Sequence, residues 1–186
     1  VGKKIEDVRI VVSGVGAAGN AIIRLLLAQG ARDIIGCGRD GALSGDDTEG
    51  MHPSRKALAE ATNPRHVHGS LKEVLKGADV FIGVSSGNIL DPADIETMAD
   101  DAIVFALANP TPEVDPIGAG KYAAVVATGR SDYPNQINNV LAFPGLFRGL
   151  LDAKVKEITT EVLRVASVAI ASVISEDELS PSYIIP

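Results

Sequence analysis

The sequence is poor in the features that mark several large protein classes. It has one cysteine, Cys37, so no internal disulfide framework can form, and a reducing compartment suits it. It has no tryptophan and only 4% aromatic residues. Its core must be built from Val, Ile, Leu and Ala, the material of parallel sheets buried on both faces. No long apolar run is present: the most apolar late stretch, Val165 to Ile174, is too short to cross a bilayer. The opening residues Val1 to Asp7 do not make a signal peptide, so a cytoplasmic location is expected. An initiator Met is also absent, which suggests a piece of something longer or a processed chain. Positive charge is in deficit, with 17 Lys and Arg against 24 Asp and Glu and a formal net charge of −7. That argues against nucleic acid as the main partner, but not against a local anion site made of backbone amides.

What is present fits one α/β domain over residues 1–186, with 46% hydrophobic residues. Short apolar runs alternate with helical stretches, the pattern of βαβ units. Val8–Ser13 reads as a first strand, Ala17–Gln29 as a helix closed by Gly30, and Asp33–Cys37 as a second strand. Gly41–Gly50 reads as a polar, acidic loop and Pro53–Ala61 as a helix. Ser70 and Glu73 have capping-box spacing, and Asp91-Pro92 opens a further helix. Val80–Val84, Ile103–Leu107 and Ala124–Ala127 supply more strands. Lys154–Ile174 reads as a long final helix, apolar all round in its later part and so in need of a cover. The expected fold is a doubly wound, mostly parallel α/β sheet of the Rossmann dinucleotide-binding type with a long C-terminal helix.

The chemistry starts at Gly14-Val15-Gly16-Ala17-Ala18-Gly19, directly after the first strand and opening the first helix. G-x-G-x-x-G alone is a weak signal, and a glycine-rich turn would share it. Strand before and helix after are the confirming context. Gly14 permits the turn, Gly16 lets a pyrophosphate approach the backbone, and Gly19 lets helix and strand pack closely. The amides and dipole of the helix, with Ala17 in its first turn, then face the phosphates. No Gly-Lys-Ser/Thr follows, which excludes a Walker-type phosphate loop. At the tip of the second strand, Cys37-Gly38-Arg39-Asp40-Gly41, the acid that would hold a ribose 2′-hydroxyl is replaced by Gly38, and Arg39 follows. Arg can bind a 2′-phosphate, so NADP is favoured over NAD, although Asp40 could still reach a ribose.

Two later stretches are unusual for scaffold. Ala106-Leu107-Ala108-Asn109-Pro110-Thr111-Pro112-Glu113 follows one strand. Thr128-Gly129-Arg130-Ser131-Asp132-Tyr133-Pro134-Asn135-Gln136-Ile137-Asn138-Asn139, leading to Phe143-Pro144-Gly145, follows another. Carboxamides at strand ends can donate to a carboxylate and accept from a hydroxyl without adding charge.

With these motifs the sequence resembles the malic enzymes, especially the bacterial type, over nearly its whole length. The resemblance implies oxidative decarboxylation of malate to pyruvate and CO2, with NAD or NADP and Mg²⁺ or Mn²⁺. By motif it places Asn109 beside the nicotinamide and malate, Asn139 on the substrate and Asn138 on the substrate or nicotinamide ribose. It places Ser85 along the cofactor cleft, joining Gly14, Gly16, Ala17, Gly19 and Arg39. The family's Tyr and Lys acid–base pair and its metal carboxylates precede the segment that matches Val1. No catalytic or metal residue is therefore expected within 1–186, and the chain is expected to bind dinucleotide without turning over malate. The implied partners are malate or pyruvate, an N-terminal catalytic domain and further copies of the full enzyme. Two other readings stay open on the residues alone: a dinucleotide-sensing module without catalysis, and the cofactor domain of another dehydrogenase.

Other candidates carry less. His66-Val67-His68 with His52, and Asp46, Asp47 and Glu49, read better as a surface approach to a strand and a solvated loop than as metal ligands. Cys37 reads as a buried strand residue. Ser13 and Ser86 lack a nucleophile-elbow context. Lys121-Tyr122 and Tyr133 are not assigned the acid–base role.

Overall fold

The structure, a computed structural model, describes residues 1–186. Strand β1 (Arg9–Ser13) enters helix α1 (Ala17–Ala28) through the glycine loop, and β2 (Asp33–Gly38) returns parallel to β1. A two-residue strand β3 (Gly41–Ala42) folds back antiparallel on β2. Helices α2 (Pro53–Ala61) and α3 (Leu71–Val74) carry the chain across to β4 (Val80–Gly83) on the other side of β1. Helix α4 (Pro92–Glu96), β5 (Ile103–Ala106), α5 (Pro116–Ala119) and β6 (Val125–Thr128) extend the sheet. The spatial order is β3-β2-β1-β4-β5-β6, and every pair is parallel except β2–β3. The expected doubly wound, mostly parallel fold is thus present.

Alternation along the strands builds two cores. Ile10 and Val12 face one side of the sheet with Ile34 and Ile82, under Ile23 of α1 and Leu58 of α2. Val11 faces the other with Ile35, Phe81 and Val104, against Val74, Leu75 and Ile95. Each fully buried side chain of this size contributes roughly 1.5–3 kcal/mol relative to exposure. Helix starts follow their local chemistry: Ser70 and Glu73 form a reciprocal capping box, as do Asp91 and Asp94 ahead of Pro92.

The C-terminal region departs from the sequence expectation. Lys154–Ile174 is not one long helix. Helix α6 (Phe143–Asp152) stops at Lys154, which takes a left-handed φ of 52°. Residues 155–158 are irregular, Thr159 caps the next helix by accepting the Val162 amide at 3.3 Å, and α7 runs only Thr160–Ala171. The charged Lys154–Glu157 stretch is linker. Helix α6 was not among the expected elements; it begins at Phe143 with Pro144 in its first turn, where proline is tolerated. Neither α6 nor α7 has a buried residue. No helix is long and apolar enough to cross a membrane.

Candidate functional site

The sheet register sets the site. Cys37, Ser13, Gly83, Ala106 and Thr128 are neighbours across β2, β1, β4, β5 and β6. The residues that follow them therefore leave the sheet side by side at its carboxyl edge. The chain order reverses between β1 and β4, the crevice where open α/β sheets bind ligands. Gly14 and Ser85 flank that crevice, and Ser13 Oγ and Ser85 Oγ are 2.9 Å apart across it.

The three glycines of the loop play different physical parts. Gly14 has φ +99°, and a Cβ there would lie 2.6 Å from the Val84 carbonyl oxygen. A Cβ on Gly19 would lie 1.7 Å from the Gly14 carbonyl oxygen. These two glycines are needed by the fold. A Cβ on Gly16 would meet nothing within 4 Å. Gly16 is also the N-cap of α1 and makes no side-chain cap, and no acidic residue stands in the first turn. The exposed Ala17 and Ala18 amides donate to no protein acceptor. A helix start with free amides, a positive dipole end and open space beside it fits a phosphate.

At the end of β2, Arg39 and Asp40 form the exposed tip of a tight hairpin between Gly38 and Gly41. The polar loop expected from Gly41 onward thus begins as a strand. Sequence reading missed Arg55 of α2. Its guanidinium covers Gly38, where a Cβ would lie 2.7 Å from a terminal guanidinium nitrogen. That nitrogen is 3.7 Å from the Asp40 carboxylate, and Arg55 Nε is buried without a partner. The absent side chain at position 38 was the available signal, since a glycine there makes room for something.

Ser85 follows β4 and Asn109 follows β5; both are exposed at the carboxyl edge. Glu113, quoted in the Asn-Pro motif without a role, is fully buried. Its carboxylate accepts the Ser85 amide at 2.9 Å and the Ala108 amide at 3.0 Å, tying the two loops together. Beyond β6, Asn138 accepts the Val140 amide at 3.0 Å and starts a 3-10 turn at Asn139. No hydrogen bond joins either of them to Asn109. Asn135 is a structural member of its motif: it is buried and donates to the Val126 and Pro181 carbonyls at 3.0 and 2.8 Å. It also accepts the Ile184 amide, so it pins the final segment to β6. Arg130 pairs in two-pronged fashion with Asp132 and lies over Tyr133, and its hydrogen bonds hold Asp132 below the usual carboxylate range.

The discounted residues sit as ordinary structure. His66 lies in a turn after α2, with φ 51°, and pairs with Asp46 at 2.7 Å; it does not enter a strand. Cys37 is buried in β2, and burial pushes its thiol up to about 12. No group of three or more His, Cys, Asp or Glu residues converges as metal ligands.

An apolar groove of about 550 Å³ lies between α6 and α7. Phe143, Phe147, Leu151, Val165 and Val168 are exposed on these helices.

The family model described as malic enzyme, NAD binding domain, matches residues 1–186. The chain is 55% identical over 186 residues to an NAD-dependent malic enzyme of Geobacillus stearothermophilus, covering all of this chain and 39% of that protein. It is 42% identical over 182 residues to an NADP-dependent malic enzyme of Haemophilus influenzae, covering 96% of this chain and 24% of that one. A solved NAD-dependent malic enzyme of Thermotoga maritima superposes with a TM-score of 0.90 at 45% identity, over 99% of this chain and 48% of that structure. The chain thus spans less than half the length of these relatives.

Proposed function

Because this chain belongs to the malic enzyme family and forms its NAD-binding domain, we propose that it holds the dinucleotide of an enzyme that oxidatively decarboxylates malate to pyruvate and CO2. The observation that carries the reading is the open start of α1, where uncapped Ala17 and Ala18 amides face the space beside Gly16. The pyrophosphate is received there, between the turn at Gly14 and the close approach of α1 at Gly19. When bound, the dinucleotide supplies the hydride acceptor. The chain's own residues bind and orient. Ser85 lines the nicotinamide side, Asn109 stands beside nicotinamide and malate, and Asn139 offers a neutral carboxamide to the substrate. Asn138 has its oxygen engaged by Val140 and contributes its N–H donors.

The cofactor is NADP in preference to NAD. Support comes from Gly38 in place of an acid, Arg39 at the hairpin tip and the Arg55 guanidinium over Gly38. Relatives named for either cofactor match this chain, so membership alone does not choose.

The general base, the general acid and the divalent metal belong to the rest of the protein in this reading. That part seats on the apolar faces of α6 and α7, which a lone domain would leave in water. The complete enzyme is a cytoplasmic homo-oligomer. Calorimetry of the 186-residue chain is expected to give saturable NADP binding, while malate and Mg²⁺ produce no NADPH absorbance. Reduction of NADP by malate on this chain, or no dinucleotide binding at all, would overturn the reading.

A further inference from the structure

Glu113 is a charged residue with no solvent exposure. Its carboxylate accepts two hydrogen bonds, both from backbone amides of neighbouring loops: Ser85 on Oε1 and Ala108 on Oε2. An isolated buried carboxylate is costly, and hydrogen bonds from N–H groups offset that cost. The same residue works through its main chain, whose carbonyl accepts the Ile89 and Leu90 amides at 2.9 Å each. Asn88 donates to Pro112 beside it. The β4 and β5 loops are thus stitched along their length, and the carboxylate closes the stitch next to the sheet. Room for it exists because residue 83 is glycine: a Cβ there would lie 2.3 Å from Glu113 Cδ. Ser85 then reaches Ser13, and Ala108 directly precedes Asn109.

A carboxylate is the group that can accept from both loops at once. A glutamine of the same size would aim an NH2 at one of two N–H donors. We propose that Glu113 is a positioning residue for the nicotinamide half of the cofactor. It fixes the spacing of the β4 and β5 loops so that Ser85 and Asn109 frame one cleft. The proposal rests on the dinucleotide reading above.

The test compares two ligands that differ only in the nicotinamide: NADP and 2′-phospho-ADP-ribose, titrated calorimetrically into the same chain. Glu113→Gln is expected to weaken NADP about tenfold while leaving 2′-phospho-ADP-ribose within about twofold, since preorganisation is lost on one side of the site. Gly83→Ala displaces the carboxylate without removing it and should give the same selective loss. Equal weakening of both ligands, or none, overturns the positioning role, as does failure of both variants to fold, which would make Glu113 structural only. If the native chain binds neither ligand, the dinucleotide reading fails instead, so the two failures are distinguishable.

Discussion

Gly16 and Gly19 look alike in the sequence but should fail in opposite ways. A Cβ on Gly19 would overlap the Gly14 carbonyl oxygen at 1.7 Å, a backbone atom held by the strand behind it. Relief requires moving α1 off the sheet, where Ile23 is fully buried. Overpacking of this kind costs typically about 1–3 kcal/mol and here should reach the upper end or beyond. A Cβ on Gly16 meets no protein atom, and the residue's backbone is extended (φ −76°, ψ −157°) rather than left-handed. Its cost as a poorer N-cap, up to about 1 kcal/mol, is largely offset by about 0.4–1 kcal/mol from the stiffer unfolded chain. Gly16→Ala should therefore keep native stability within about 0.5 kcal/mol. Its methyl would stand where the pyrophosphate approaches, and a loss of about 1.4–2.8 kcal/mol corresponds to about 10- to 100-fold weaker binding. Urea melts and calorimetric titration with NADP, run on both variants, separate the effects. A Gly16→Ala chain that binds NADP like the native one would refute the phosphate assignment. A Gly19→Ala chain of native stability would refute the close-packing argument.

Other consequences follow from named contacts. Arg55→Ala should weaken NADP about tenfold and NAD little, because one charge–charge contact at a partly exposed site is lost. Gly38→Asp should shift preference toward NAD; unchanged NADP/NAD ratios in both variants would remove Arg55 from the site. Burial alone would push the Asp79 carboxyl up, but the Lys3 ammonium at 2.7 Å and the Arg9 amide outweigh it and hold it below its ordinary range. A depressed carboxyl stabilises the fold above its unfolded value of about 3.9, and that contribution is lost as pH falls through the folded value. The stability gap between native and Asp79→Asn chains should accordingly be open at pH 7 and close in acid; a gap independent of pH would contradict this. Cys37, with its thiol pushed up to about 12, should resist maleimide until the chain is unfolded. Rapid labelling of the native chain would contradict its burial.

What could be read in advance was local. Runs such as Val11-Val12 and Phe81-Ile82 had to be strands buried on both sides, and each lies in the sheet's two cores. The capping-box spacing at Ser70 and the Asp91-Pro92 pair each start a helix as expected. The glycine loop was legible because turn, close approach and helix start occur within six consecutive positions. What escaped were pairings across the chain. Glu113 meets Ser85 from 28 positions away, and Arg55 covers Gly38 from the next layer. Neither has a periodic or spacing signature. The division of Lys154–Ile174 turned on one left-handed residue and one capping threonine, both cheap local choices that hydrophobic periodicity does not register. Asn135 belonged visibly to a polar cluster, but only the fold shows it spent on the final segment rather than open to a ligand.

In this reading a dinucleotide lies across the carboxyl edge, from the hairpin tip at Arg39 over the glycine loop to Asn109. Amide NMR of the 19.3 kDa chain during NADP titration tests it directly. Saturable shifts should appear at Gly16, Ala17, Ala18, Arg39, Ser85 and Asn109, with α6 and α7 unmoved. Shifts confined to the groove between α6 and α7, or none at the start of α1, would contradict it.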